Sequence, residues 1–573
     1  TALPLLAARL IVPALGLWLL AGTQSALAQS VTGTGDINPS VPAPPLPVWS
    51  VGGALNVGNA GTGTLTIADG GTVQGTTWSS IGKNGSGSGT VTVTGAGSAW
   101  YGTIIEIGNA GTLSVEKGGH VSTAAMLLSG TTGGTLNLLG DAIDGRGVLE
   151  INYLIGNYGT VNLNGGILRA RMNHASFFDS VGGQTIGANG AFFDSNGYDI
   201  VVSVSFDGSG GLTKLGAGTL VLSGSNSYTG DTLVQAGRLV GDTASSFSLD
   251  SNVTVSAGAT LAVSGGIVAA AGSLSGAGSV EIASGATLIT GTTDQSKTFS
   301  GSFSGDGALG FTGAGMQIYT GTGTLGGGFA TCVCATGQFV VRGGSLTLGD
   351  DVKVQGGTLL VDQGGQLDNG GGTLLVASKV TVDGAGSAIS TGITLVQSFA
   401  GTTSLTISGG ASLTGSGGAS LIGFGGSAEA LVSGNGSRWI VGGGGLSIAP
   451  GATTASSVTV AEGGELRIAS GDLQIAALGR LNIGNGGRAG RIDVASGAIV
   501  NDGAIVANFT DSYSYSGTIV GSGSLTKTGP GTLTLSGTNS YDGATLVNGG
   551  KLVVNGTIAS SSGVTVAAGA AIG

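Results

Sequence analysis

The chain has 573 residues, of which 119 are glycine, with a hydrophobic fraction of 40% and a charged fraction of only 9%. The glycines follow no Gly-X-Y period, which excludes collagen, and so apolar and weakly charged a chain is poorly suited to remaining disordered. A formal net charge of −11 and a pI near 4.5 argue against nucleic acid or an anionic membrane surface as partner.

From the N-terminus, residues 1–28 read as a secretory signal peptide: Arg9, the apolar run Leu10 to Ala21, then Ser25-Ala26-Leu27-Ala28 before Gln29. Ala26 and Ala28 form the Ala-x-Ala cleavage site, and Gln29 is the predicted mature N-terminus. The chain begins at Thr1 with a thin basic segment, so a few leading residues are expected to precede it. Residues 29–50 read as a linker, because Pro39, Pro42, Pro44, Pro45 and Pro47 favour an extended polyproline conformation. After Val48 only Pro450 and Pro530 occur. Proline cannot donate to a β ladder, so its scarcity over 51–573 predicts strands paired on both sides.

Within 51–573 an apolar–small polar–apolar triplet recurs. Leu65-Thr66-Ile67, Val91-Thr92-Val93, Leu113-Ser114-Val115, Val161-Asn162-Leu163, Val253-Thr254-Val255, Val380-Thr381-Val382, Leu405-Thr406-Ile407, Val458-Thr459-Val460 and Val564-Thr565-Val566 are examples. Residues i and i+2 of a strand share a face, so each triplet turns two apolar groups inward and one polar group outward. Glycine corners follow, such as Gly118-Gly119 and Gly463-Gly464. Short strands at close spacing, with no helical periodicity, predict an all-β, right-handed parallel β-helix. At about 20 residues per turn this makes roughly 25 turns and a rod roughly 120 Å long. Residues 167–200, with Arg169, Arg171, His174 and two Phe-Phe-Asp-Ser segments, break the pattern and read as an irregular insertion.

One stretch is spelled twice. Residues 211–240 and 524–553 align without a gap and share about two-thirds of their positions. Leu212, Lys214, Gly216, Gly218, Leu220, Leu222, Asn226 and Tyr228 match Leu525, Lys527, Gly529, Gly531, Leu533, Leu535, Asn539 and Tyr541. The wording LTKxGxGTLxLSGxNSYxGxTLV is similar to the passenger-associated transport repeat of bacterial autotransporters, placed here at 210–241 and 523–556. The resemblance implies export through the periplasm to the outer membrane, cell surface or extracellular space, and a C-terminal outer-membrane β-barrel as partner. That barrel is not in this sequence, which reads as a fragment. It further implies a surface-displayed stalk whose folding is coupled to export; the long Thr/Ser/Asn-faced rod, a side-to-side contact surface, adds the expectation of adhesion or self-association, through host or bacterial surface ligands or through itself.

Candidate chemistry is sparse. His120 reads as a solvent-facing rung residue. His174 lies near Asp179 and Ser180, but no serine has a nucleophile-elbow setting. Asp350-Asp351 and Glu462/Glu465 are the closest carboxylate clusters. Gly321, Gly323 and Gly326 match G-x-G-x-x-G without a strand-then-helix context. Cys332 and Cys334 could form a tiny disulfide or remain two buried thiols. No cofactor or metal motif is present, and the chain is read as not an enzyme. A β-helical polysaccharide lyase or hydrolase, whose acidic and basic groups would cluster across adjacent turns, is one rival; a two-partner-secreted filamentous adhesin is the other.

Overall fold

A computed structural model describes residues 30–83, 87–398 and 403–573. The leader at 1–28, with Ala26 and Ala28, lies outside the described residues, as does Gln29. Among the described residues there is no helix, and the chain winds into a parallel β-solenoid of about 23 turns.

The triplets build it. Thr358–Asp362, Lys379–Asp383, Thr403–Ser408, Ala428–Ser433, Ser456–Ala461 and Gly479–Ile483 stack as successive parallel neighbours, with Val380 opposite Leu405 and Val458 opposite Leu481. Two further walls run beside this one through the C-terminal half, one from Val268–Ala270 to Ser540–Tyr541, the other from Thr322–Leu325 to Arg491–Val494. The inward positions form one apolar column along the axis, from Val31 to Leu552. Each fully buried Val, Leu or Ile contributes about 1.5–3 kcal/mol by leaving water. Each rung satisfies its backbone only through the rungs on either side, so the turns stand or fall with their neighbours.

The corners explain part of the glycine content. At 462–464, Glu462 (φ 52°) and Gly463 (φ 78°) turn the chain through the left-handed region. Gly464 then lies against the preceding rung, where a Cβ would come within 2.6 Å of the Val432 carbonyl oxygen. Any side chain there would push two rungs apart.

Two sequence expectations differ from the structure. Much of the expected linker belongs to the solenoid: Ser30–Gly35 pairs antiparallel with Thr62–Ala68, Ile37–Asn38 pairs antiparallel with Leu55–Val57, and Val48–Ser50 pairs parallel with the next rung. Val31 is buried, and the prolines occupy the excursion between paired segments, where no ladder donor is needed. The stretch 167–200 is not an irregular insertion either. Ile167–Ala170 lies between Val148–Ile151 and Ala191–Asp194, and His174–Asp179 between Tyr153–Gly156 and Ile200–Val202, with a register shift between His174 and Phe178. Phe177, Phe178 and Phe193 fill the axis where other rungs use Val or Leu. Arg169 reaches Asp194 on the next rung at 2.8 Å. The unusual composition belongs to stacked strands whose core positions hold phenylalanines.

Candidate functional site

The two repeats put polar groups inside an apolar wall at equivalent places. In Leu212–Leu215 the inward positions are Leu212 and Lys214, and in Ser524–Lys527 they are Leu525 and Lys527; all four are buried. An ammonium inside a core is tolerable only when oxygens replace its water. Lys214 Nζ donates to Leu215 O (2.7 Å), Gly216 O (2.8 Å), Ser195 Oγ (2.9 Å) and, more distantly, Ala236 O (3.2 Å). These are corner carbonyls from its own and the following rung and a hydroxyl from the preceding one, so one side chain ties three turns. Lys527 Nζ donates to Gly529 O and Gly549 O and lies 5.0 Å from the centre of the Phe509 ring. Burial pulls the Lys214 ammonium down to about 8, against the opposing pull of Asp194 and Asp199. Burial pulls Lys527 down as well.

The rest of the motif completes the frame. Leu220, Leu222, Leu533 and Leu535 face the axis. Gly218 and Gly531 follow the lysine corners, where a Cβ would meet the Tyr198 or Asp511 carbonyl oxygen at 1.9 or 2.0 Å. Gly216 and Gly529 supply the carbonyls that the lysines take. Asn226 accepts from Phe206 N (2.9 Å) and donates to Ser246 O (2.6 Å), bridging the rungs before and after it. Asn539 accepts from Ile519 N (3.0 Å) and donates to Gly537 O (3.1 Å). Tyr228 hydroxyl meets Thr232 Oγ1 at 2.7 Å, which meets Ser251 Oγ at 2.8 Å. Tyr541, Thr545 and Ser561 repeat that chain at 2.7 and 3.0 Å. Burial pushes the Tyr228 hydroxyl up to about 12 and raises Tyr541. Sequence reasoning missed the threonines, although Thr232 and Thr545 are identical in the two copies. Ser195 carries no sequence signal, since it lies a full turn upstream.

Outside the repeats, the structure gathers His174, Ser176, Asp179 and Ser180 with Tyr153, Ile155 and Asn157 around a groove of about 620 Å³. The His174 ring lies against Tyr153 at 5.1 Å, and its Nδ1 accepts a hydrogen bond from Ser176 N at 3.1 Å. A catalytic triad needs that nitrogen as a donor to a carboxylate. Asp179 instead accepts from the hydroxyls of Ser203 (2.5 Å) and Ser180 (3.2 Å), and the Ser203 bond leads the causes that hold its carboxyl below the usual range. His120 is half-buried with Nε2 3.4 Å from Glu150. Cys332 and Cys334 are joined in an exposed disulfide. Asp351 accepts from Thr373 N at 2.8 Å, and its neighbour Asp350 accepts from Asp351 N at 2.8 Å.

One acidic and basic cluster does cross adjacent turns. Glu465 lies between Arg438 (3.2 Å) and Arg491 (3.6 Å), Arg467 meets Asp493 at 3.3 Å, and Arg488 approaches Asp511 at 3.8 Å. Each of these carboxylates is matched by a guanidinium, which serves to hold rungs in register; glycoside hydrolysis needs one carboxyl kept protonated beside another that stays ionised. No group of three or more His, Cys, Asp or Glu among the described residues is placed to hold a metal ion.

Comparison with known proteins bears on the repeats. The family described as Passenger-associated-transport-repeat matches residues 212–240 and 525–554. A 131-residue stretch, 22% of the chain, is 36% identical to "Adhesin BmaC autotransporter" of Brucella suis biovar 1 (strain 1330), covering 4% of that protein. A 70-residue stretch, 12% of the chain, is 46% identical to "Extracellular serine protease" of Serratia marcescens, covering 6% of that protein. The chain thus spans a small part of the length of these relatives.

Proposed function

We propose that this chain, an autotransporter passenger by its paired transport repeats, is a β-helical stalk that acts by adhesion or self-association. The observation that carries the reading is the buried Lys–Asn–Tyr frame, repeated in two copies within a mainly apolar core. In this reading a leader ending at Ala28 takes the chain to the periplasm, and a C-terminal outer-membrane barrel carries it outward. Stepwise burial of turns outside the cell biases that movement, and the two repeats act as firm early turns. Adhesion is supported by the name of the Brucella relative. It is also supported by outward polar ladders such as Ser114, Asn137 and Asn162, joined at 3.2 and 2.8 Å, which present amides and hydroxyls along the rod. A second reading, a secreted hydrolase, is favoured by the name of the Serratia relative.

The test is expression of the full-length gene in a Gram-negative host that lacks it. The expected outcome is antibody-accessible chain on intact cells or in the medium, a mature N-terminus at Gln29, and increased autoaggregation or attachment. Chain retained inside the cell would overturn export. Displayed chain that degrades protein or polysaccharide, while cells neither clump nor attach, would move the assignment to the second reading.

A further inference from the structure

The wall that begins at Val268–Ala270 starts with an outer face unlike that of its neighbour. Outward positions on the wall beside it carry polar side chains, such as Thr381, Thr406 and Thr459. Here the outward column reads Ala270, Ile289, Gly310, Ala330, Lys353 and Leu375 on successive rungs. Between Ile289 and Lys353 that column has almost no side chain, so the sheet is notched over about 14 Å, three rung spacings. Gly310 keeps the notch open, since a Cβ there would press on Ile289 Cγ1 at 3.1 Å. The notch lies in a groove of about 550 Å³. Thr292, Thr312 and Cys332 line it where the strands end, and Asp350 and Asp351 line it where they begin. Apolar groups also stand exposed at its margins. Val268, 54% exposed, lies opposite Thr287, and Val333, 74% exposed, sits in the loop that the Cys332–Cys334 disulfide closes. Apolar surface gathered around a cleft, rather than scattered singly, marks an interaction site.

We infer that this groove receives an apolar side chain of a protein partner that carries a Lys or Arg beside it. The inference rests on the adhesive reading and gives it a class of partner. The apolar knob follows from the floor, because Ala270, Ile289, Gly310 and Ala330 offer contact but no side-chain hydrogen bond. The neighbouring cation follows from the charges. Three charged side chains line the groove: Asp350, Asp351 and Lys353. Lys353 is matched by Asp351 at 3.4 Å. Asp350 is exposed, accepts from Asp351 N at 2.8 Å, and forms no ion pair among the described residues. One carboxylate is therefore left over, on a chain whose net charge is already −11. An acidic group on the partner would be repelled there, and a basic one attracted. A free fatty acid fits less well. Its anionic head would meet Asp350, and the groove is open along its outer side, whereas a small-molecule site encloses most of its ligand.

The purified chain is titrated by fluorescence anisotropy with a labelled peptide of alternating Leu and Lys. Two companion peptides replace Lys by Glu, or Leu by Ser. The Leu–Lys peptide is expected to bind about tenfold tighter than either companion. Ala330→Phe fills the notch and should weaken the Leu–Lys peptide about tenfold. Asp350→Asn changes only an exposed side chain, and should weaken the same peptide several-fold without weakening the Leu–Glu one. Thr414→Phe, the same kind of enlargement at an outward position of a different wall, should bind as the parent does. The groove is overturned if no peptide binds, if Leu–Glu or Ser–Lys binds as tightly as Leu–Lys, or if laurate displaces the Leu–Lys peptide. Parental affinity in Ala330→Phe or in Asp350→Asn would overturn it equally, as would a matching loss in Thr414→Phe. Cells that attach and aggregate while the purified chain ignores the Leu–Lys peptide would sink the groove and leave adhesion standing. Specific peptide binding by a chain whose display promotes no attachment would do the reverse.

Discussion

Lys214 holds its charge where the neighbouring turns keep the apolar side chains of Phe193 and Val234. Its ammonium titrates near 8 in the folded chain, below the value of about 10.4 for a free lysine. Between those values the unfolded chain binds a proton that the folded chain has released, so stability rises with pH across that window. Tyr228 acts in the opposite sense above pH 10, where the folded chain keeps a proton to about 12 that the unfolded chain loses. The urea midpoint should therefore climb between pH 8 and 10 and fall beyond it. In Lys214→Met the climb should shrink, because an apolar side chain of similar length replaces the buried charge. A variant with the parental rise would show that Lys214 is not the group responsible. The lysine was legible as a repeated letter, but its burial was not. A Lys two residues from an inward Leu satisfies strand alternation only by pointing inside, and the oxygens that permit this come from Ser195 and Ala236, on the turns before and after.

At the scale of the element, the two repeats bury the same Lys, Asn and Tyr positions at different places in the chain, which makes matched substitutions informative. Leu533→Asp or Leu535→Asp sets a carboxylate among inward leucines, at a cost of several kcal/mol if it remains ionised. If the more C-terminal copy emerges first and holds the rod outside the cell, these variants should reduce surface exposure of the full-length protein several-fold. Leu220→Asp and Leu222→Asp should damage the rod locally and leave export largely intact. Equal surface levels for the two sets would remove any special role for the second copy. The triplets made the strands legible because period two needs no distant information. Corners were harder. Gly95-Ala96-Gly97-Ser98-Ala99-Trp100 and Gly434-Asn435-Gly436-Ser437-Arg438-Trp439 share one wording, but Gly384-Ala385-Gly386-Ser387 makes the same turn without a following Trp. In all three the serine Oγ accepts a backbone N–H from the preceding turn, Gly70, Gly410 or Gly364, at 2.9–3.0 Å. The end of the wall at Arg491–Val494 was invisible for a related reason: Ser512-Tyr513-Ser514-Tyr515 alternates as a good strand should, and only its stacked neighbours show that it pairs with Thr532–Leu535 and not with Arg491–Val494.

For the whole molecule, about 23 turns at the strand spacing of about 4.8 Å make a rod near 110 Å long. Small-angle scattering from purified 30–573 should give an elongated profile of that length, and a compact sphere would contradict the architecture. The parallel character was legible from short strands and scarce proline. The antiparallel start at Ser30–Gly35 was not, because nothing in Ser-Val-Thr-Gly-Thr-Gly states a direction. Direction also governs the ion pairs between rungs. Arg169 with Asp194, Arg342 with Asp362, Arg438 with Glu465, Arg467 with Asp493 and Arg488 with Asp511 each place the cation on the earlier turn and the carboxylate on the later one. Arg491 with Glu465 runs the other way. Pairs aligned along one axis add as vectors, but the remaining charges outweigh them: residues 30–300 carry 8 Lys and Arg against 16 Asp and Glu, and residues 301–573 carry 10 against 14, so the rod's electric moment has its negative end toward the N-terminus. Two such rods lying side by side at low ionic strength lower their field energy by pointing in opposite directions, and salt at physiological strength, with a Debye length of about 8 Å, erases much of that preference. The uneven spread of carboxylates along the stack thus makes the rod a weak compass needle.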